Sequence, residues 1–228
     1  MTGKADKIFT FFLIGVTFVL ITVTAFMHSE DVFIIVPLYI SLTVMLLQSH
    51  ANRYAFLLGG INSLLYAAVN IYIGLYASAA SAALVSCPLQ LAAFLNWRKR
   101  AYGNAAIFKK LGLKHMLLLS AACVVSWFFM WAFFSLFHSS YLLFDNTLTL
   151  IGIVSTVLCA LAYIEYTYLQ MVSLGIGIVL YAVMLRERPI QMTYLIYNVY
   201  ALICSMRALF KMNRLYIEQN VTKKEASL

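Results

Sequence analysis

Charge is what this chain has least of. Only 11% of its 228 residues are Asp, Glu, Lys or Arg, 64% are hydrophobic, and the mean hydropathy is +0.89. A water-soluble domain cannot cover so much apolar surface, so the class is an integral membrane protein. Period-two alternation of polar and apolar residues, the mark of a membrane β-barrel, is absent, which leaves helices. Cysteine is sparse and scattered: Cys87, Cys123, Cys159 and Cys204 fall in four different apolar segments, with no C-x-x-C pair. They read as small buried apolar residues, not as a disulfide or metal framework. His28, His50, His115 and His138 lie near segment ends without the spacing of metal ligands. No H-E-x-x-H, G-x-S-x-G or glycine-rich phosphate loop occurs. These absences argue against an enzyme, and neither a cofactor nor a metal is expected.

What is present is a succession of apolar runs. A spanning helix needs about 20 mostly apolar residues. Eight stretches fit: roughly 8–27, 32–48, 54–77, 79–97, 115–137, 146–163, 166–185 and 190–210. The short connections leave no room for a soluble domain, so residues 1–228 form one transmembrane unit. The first run follows Lys4 and Lys7 like a signal peptide, but "AFMHSED" is a poor cleavage site, so the run is expected to stay as a span. Residues 98–114, "RKRAYGNAAIFKKLGLK", read as a solvated cytoplasmic loop, and 211–228 as a cytoplasmic tail, polar and frayed from 213 on. Pro37 and Pro88 are expected to kink the second and fourth spans.

The net charge of +8 is placed, not spread. With eight spans, Lys4, Lys7, Arg53, the cluster Arg98 to Lys114, and the C-terminal Arg207, Lys211, Arg214, Lys223 and Lys224 fall on one side. Glu30, Asp31, Asp145, Arg186 and Arg188 fall on the other. The positive-inside bias makes the basic side cytoplasmic, with both termini there. The basic balance therefore reports topology and contact with anionic lipid, not a nucleic-acid partner.

Within the spans the polar residues fall in stripes. Asn62, Tyr66 and Asn70 share a face of the third span, and Ser86, Gln90, Phe94 and Trp97 a face of the fourth. Gln170, Ser173, Gly177 and Tyr181 follow helical spacing in the seventh, and Gln191, Tyr194 and Asn198, with Tyr197 and Tyr200 beside them, in the eighth. Each stripe has two readings. Amides and small residues often bond one helix to another. Four stripes together also suit a cavity whose amides meet hydroxyls and whose aromatic rings meet a ring. Gly59, Gly60, Gly175 and Gly177 read as close-packing positions. Glu165, at the boundary of spans six and seven, is either a solvated helix end or a structural or gating residue. Intramembrane charge of the kind that ion-driven pumps use is nearly absent.

The halves echo one another. "LLYA" at 64–67 matches "VLYA" at 179–182, an offset of 115 that pairs Asn62 with Gly177 and Tyr66 with Tyr181. Spans two and six run the same way, so two three-span groups form parallel repeats, as in some transporters. The expected fold is all-α: eight transmembrane helices, two parallel three-helix repeats joined by a linking helix (3+1+3), and an extra N-terminal helix. The segments are 8–27, 32–97, 98–114, 115–137, 146–210 and 211–228.

Three stretches resemble a known family. "NRYAFLLGGIN" (52–62) followed by "GLYAS" (74–78) is similar to the PnuC family of vitamin uptake transporters. "PLQLAAFLNW" (88–97) resembles its P-x-Q-I-Y-G-W-x-x-W stretch, and "AYIEYTYLQ" (162–170) its K-Y-x-E-N-W-x-x-W segment. The resemblance implies a facilitator with a core similar to the SWEET sugar transporters, often homotrimeric, in the bacterial inner (cytoplasmic) membrane. Such proteins carry unphosphorylated precursors, nicotinamide riboside first among them and thiamine, riboflavin or deoxynucleosides in related members. A cytoplasmic kinase then traps the substrate. Asn62, Gln90, Trp97 and Glu165 stand at matched motif positions. Tyr166-Thr167, Gln170, Leu174 and Ala92-Ala93-Phe94 stand where the family has other aromatic and amide residues.

The resulting expectation is an uncoupled facilitator for a vitamin precursor, most readily nicotinamide riboside, that works by rocking the two repeats. Asn62, Asn70, Gln90, Ser173 and Asn198 are the polar contacts. Tyr66, Phe94, Trp97, Gln170, Tyr181, Tyr194 and Tyr197 line the ring site. Glu165, Pro37 and Pro88 have structural or gating roles. Two rivals come from other classes: a membrane enzyme acting on lipid, for which no catalytic cluster stands in the sequence, and a membrane sensor or assembly subunit, in which the stripes are packing alone.

Overall fold

The computed structural model describes residues 3–28, 32–72, 81–99, 101–102, 105–135, 142–186 and 191–225. Hydrocarbon offers the backbone no partner, so the apolar runs close their hydrogen bonds internally as helices. These are α1 (Gly3–Met27), α2 (Val32–Ser49), α3 (Tyr54–Tyr72), α4 (Cys87–Lys99), α5 (Leu113–Ser135), α6 (Leu142–Ala160), α7 (Glu165–Met184) and α8 (Gln191–Glu225). Five carry apolar stretches long enough to span a bilayer, while α2 and α3 carry the shorter Ile35–Ser49 and Tyr54–Val69. The end of the third expected span and the start of the fourth fall outside the described residues.

Six helices form a ring. α3 lies between α2 and α4, and α7 lies between α6 and α8. The ring closes where α8 meets α2 and where α4 meets α6. Each closure joins the first helix of one repeat to the third of the other, as a two-fold axis along the membrane normal requires. α1 and α5 stand outside the ring: α1 packs on α8 and α2, and α5 on α6. Thr22 of α1 bonds the Tyr39 hydroxyl at 2.8 Å, and the Arg207 guanidinium donates to Thr10 at 2.9 Å.

The repeat shows most clearly at two turns. Ala51 (φ 54°) ends α2 and Ala162 (φ 61°) ends α6, both in the left-handed region that favours glycine. Ala51 N–H donates to Gln48 O and Asn52 N–H to Leu47 O, while Ala162 N–H donates to Cys159 O and Tyr163 N–H to Leu158 O. The two caps are identical and stand 111 residues apart. The offset of 115 is therefore corrected. In the structural register Asn62 answers Ser173, and Tyr66 answers Gly177. The "LLYA" and "VLYA" tetrapeptides stand one helical turn out of step.

Pro88 follows a single π-helical turn, Ala82–Ser86, with Cys87 N–H donating back to Ala82 O. A proline lacks the N–H for the i−4 carbonyl and crowds it, and a widened turn relieves that conflict. Pro37 lies buried in the interior of α2.

The 98–114 connection is not a solvated linker. After a two-residue ribbon, Ala101–Tyr102 paired with Ala105–Ala106, it turns under the ring. Ala106 and Phe108 are buried against Trp97, Ile164 and Met212. Lys109 pairs as a short parallel bridge with the α6–α7 turn: its N–H donates to Ala162 O (2.9 Å), and its carbonyl accepts from Ile164 N–H (3.0 Å). Nor is the region after 213 frayed, because α8 continues to Glu225. Its Gln219, only 6% exposed, clasps the connection: the amide accepts from Phe108 N–H and donates to Ala106 O, each at 3.0 Å. Gln219→Leu is expected to leave both backbone groups buried and unpaired, at about 1–3 kcal/mol each. A lower melting temperature in detergent and faster proteolysis at 100–112 would show it.

Candidate functional site: a polar cavity inside the ring

The six ring helices line a partly open cavity of about 270 Å³. α2 contributes Ser41, Val44, Met45 and Gln48, and α6 contributes Gly152, Ser155, Thr156 and Cys159. α3 supplies Phe56, Gly59, Asn62, Ser63 and Tyr66, and α7 supplies Tyr166, Gln170 and Ser173. Gln90 and Ala93 of α4 and Tyr197 of α8 complete the wall. At the 111-residue offset every lining position of α2 pairs with one of α6: Ser41 with Gly152, Val44 with Ser155, Met45 with Thr156, Gln48 with Cys159. Gly59 pairs likewise with Gln170, and Asn62 with Ser173. The cavity lies on the two-fold axis of the repeat.

Asn62 is both glue and lining. Its amide nitrogen donates to Ser41 Oγ (2.8 Å) and to the Pro37 carbonyl (3.0 Å), which ties α3 to α2. Its Oδ1 is buried without a hydrogen-bond partner. Ser41 also meets the Tyr66 hydroxyl at 3.3 Å. On the opposite wall Gln170 donates to Gln48 Oε1 (3.0 Å), an amide bridge from one repeat to the other. Gln90 donates to Ser63 Oγ at 3.1 Å. The Tyr166 hydroxyl is buried beside the Cys159 thiol with no conventional hydrogen bond. Among the described residues, no Asp, Glu, Lys or Arg lines the cavity.

Of the residues expected at the site, Asn62, Tyr66, Gln90, Gln170, Ser173 and Tyr197 meet here. Asn70 lies on α3, but its side chain is outside the described residues. Phe94 packs on the Tyr54 ring at 5.8 Å, away from the cavity. Trp97 is fully buried, with Phe56 and Phe108 edge-on, and its indole N–H donates to Cys159 O (2.8 Å). Beside it the Asn96 amide donates to Ala160 O. These carbonyls stand at the C-terminal end of α6, where Cys159 O also accepts from Ala162 N–H, so Trp97 serves as an anchor for the α4–α6 closure. Tyr181 stacks on Tyr194 (5.6 Å), and Asn198 donates to Tyr194 O, all three off the cavity wall. Glu165 opens α7 and turns its carboxylate to the connection, where Oε1 accepts from Leu111 N–H at 3.0 Å. Of the four glycines expected to pack closely, Gly59, Gly60 and Gly177 do, whereas nothing lies within 4 Å of the place a Gly175 Cβ would take.

Sequence reasoning missed Ser41, Gln48, Ser155, Thr156 and Tyr166. The first four stand on α2 and α6, whose helical faces repeat at i, i+3, i+4 and i+7 but read as ordinary apolar spans with occasional hydroxyls.

A family model described as nicotinamide mononucleotide transporter matches residues 31–211. The chain belongs to that family. The crystal structure of a protein titled the vitamin B3 transporter PnuC superposes with a TM-score of 0.77, covering 96% of this chain and 94% of the other at 22% identity, which shows a shared fold. No curated protein matches the chain. As a member of this family it is a multi-pass membrane transporter, not an enzyme.

A Cβ at Gly59 would fall 1.9 Å from Gln90 Oε1, the movable end of a side chain. Gly59→Ala is therefore expected to fold normally but to push the Gln90 amide from its place on the wall. The expected outcome is an unchanged melting temperature without ligand and about tenfold weaker ligand binding, equivalent to ~1.4 kcal/mol.

Proposed function

We propose that the chain is a facilitator that carries an unphosphorylated vitamin precursor, nicotinamide riboside by preference, through the ring cavity. The observation that carries this reading is the uncharged wall: amides, hydroxyls and aromatic rings, with no cation for a phosphate among the described residues. Burying a phosphate dianion there, unpaired, would cost several kcal/mol (an order-of-magnitude figure). A riboside loses no such partner. Its hydroxyls and carboxamide suit Asn62 Oδ1 and the amide of Gln90, and its positively charged ring suits the faces of Tyr66, Tyr166 and Tyr197. At about 270 Å³ the cavity stands just below the roughly 300–1,000 Å³ of ligand pockets, which favours a small cargo. The absence of carboxylates from the cavity wall among the described residues agrees with uncoupled transport, in which phosphorylation by a cytoplasmic kinase would hold the product inside.

In this reading the repeats rock about the cavity, and the Gln48–Gln170 bridge breaks and reforms. The basic face, with both termini, is cytoplasmic by the positive-inside bias, and the membrane is a bacterial inner membrane. A homotrimer is part of the proposal by family resemblance.

Thermal shift with purified protein tests the reading. Nicotinamide riboside is expected to raise the melting temperature, and nicotinamide mononucleotide to leave it unchanged. Thiamine, riboflavin and deoxynucleosides in the same series would identify a different cargo. Equal binding of the mononucleotide would sink the argument from the uncharged wall. A protein that no small molecule stabilises would return the sensor or assembly reading. Asn62→Ala and Gln90→Ala are expected to lower uptake about tenfold, ~1.4 kcal/mol each.

A further inference from the structure

The backbone of the cavity is symmetric, but its side chains are not. Ser41 and Gly152 are mates in the 111-residue register, and both line the wall. Around Ser41 the space is taken: its hydroxyl donates to Pro37 O and meets Asn62 and Tyr66. Around Gly152 it is open, since no atom lies within 4 Å of where a Cβ would stand. Gly152, Ser155, Thr156 and Cys159 follow i, i+3, i+4 and i+7, so they share the face of α6 that lines the cavity. A Cβ at 152 would therefore stand on the lined face with no neighbouring atom from another part of the chain within 4 Å. The mate of Tyr66, in turn, is Gly177, whose place is filled by the Asn198 amide at 2.7 Å from a Cβ position. At this pair of positions one half of the cavity carries a hydroxyl and its partners, and the other keeps its space at Gly152.

We infer that Gly152 sets the size of ligand the transporter accepts. The bulk of the ligand lies against the bare turn of α6, while its polar end meets Asn62 and Gln90 on the other half. This rests on the transport reading above and adds a specificity-determining position to it.

The test is a graded series, Gly152→Ala, Gly152→Val and Gly152→Leu, with Gly175→Leu as control. Gly175 has the same open surroundings but does not line the cavity. All four variants are expected to melt within a few degrees of wild type without ligand. Binding of whichever vitamin or nucleoside stabilises wild type should fall stepwise with side-chain volume at 152, at least tenfold for Leu, and stay unchanged for Gly175→Leu. Equal binding by Gly152→Leu and wild type would overturn the inference. So would a loss as large in the Gly175→Leu control.

A second measurement does not need the ligand to be known. In a protein with Cys87, Cys123, Cys159 and Cys204 changed to Ala, Gly152→Cys is expected to react with a small water-soluble methanethiosulfonate and to resist a bulky one, whereas Gly175→Cys should react with neither. If Gly152→Cys reacts with neither reagent, position 152 faces lipid and the assignment fails. If it reacts as expected while no vitamin or nucleoside binds wild type, the vitamin reading fails and the size assignment stands.

Discussion

Hydrocarbon offers no hydrogen bonds, so every amide in a spanning helix must be satisfied by another part of the chain or by something the chain encloses. The ring follows from that constraint. Asn62 gives both its N–H groups to α2, one of them to a proline carbonyl, and keeps a single oxygen for the interior. Gln90 likewise donates to the neighbouring α3, and Gln170 to α2 across the cavity. The choice between helix glue and cavity lining is therefore not a choice for these residues, because the same amide does both. Packing fixes one end of the group and presents the other.

The same constraint shapes the ends of the helices. The last carbonyls of α6 find Trp97 and Asn96 on α4, and the backbone of the 105–112 connection finds Gln219, Glu165 and the α6–α7 turn. A loop buried against a helical ring must be given side chains or strand-like bridges for its backbone. Here it is given both.

The spans themselves were legible in the sequence, since long apolar runs and a one-sided charge distribution report directly on the bilayer. So were Asn62, Tyr66, Gln90 and Gln170, which stand out as polar in apolar surroundings. The repeat was legible in kind but not in register. "LLYA" and "VLYA" are similar as letters, whereas the equivalence lies in two left-handed alanines that nothing in a one-dimensional pattern marks. The role of 98–114 was hidden for a related reason: its lysines are exposed as their chemistry suggests, while burial rests on Ala106 and Phe108 and on a glutamine 111 residues from Phe108. Trp97 shows the limit of motif matching. A matched position told that the residue matters, and the contact geometry told that it anchors a helix end.

α8 lines the cavity at Tyr197 and clasps the connection at Gln219, with unbroken helix between them. Those 22 residues measure roughly 33 Å at 1.5 Å per residue. A rod of that length behaves as a lever. A tilt of about 10° pivoting at Tyr197 would carry Gln219 through about 6 Å, twice the length of the hydrogen bonds it makes there. The middle of the membrane and the basic face are thus geared together by one helix, so that neither can move far while the other stays at rest.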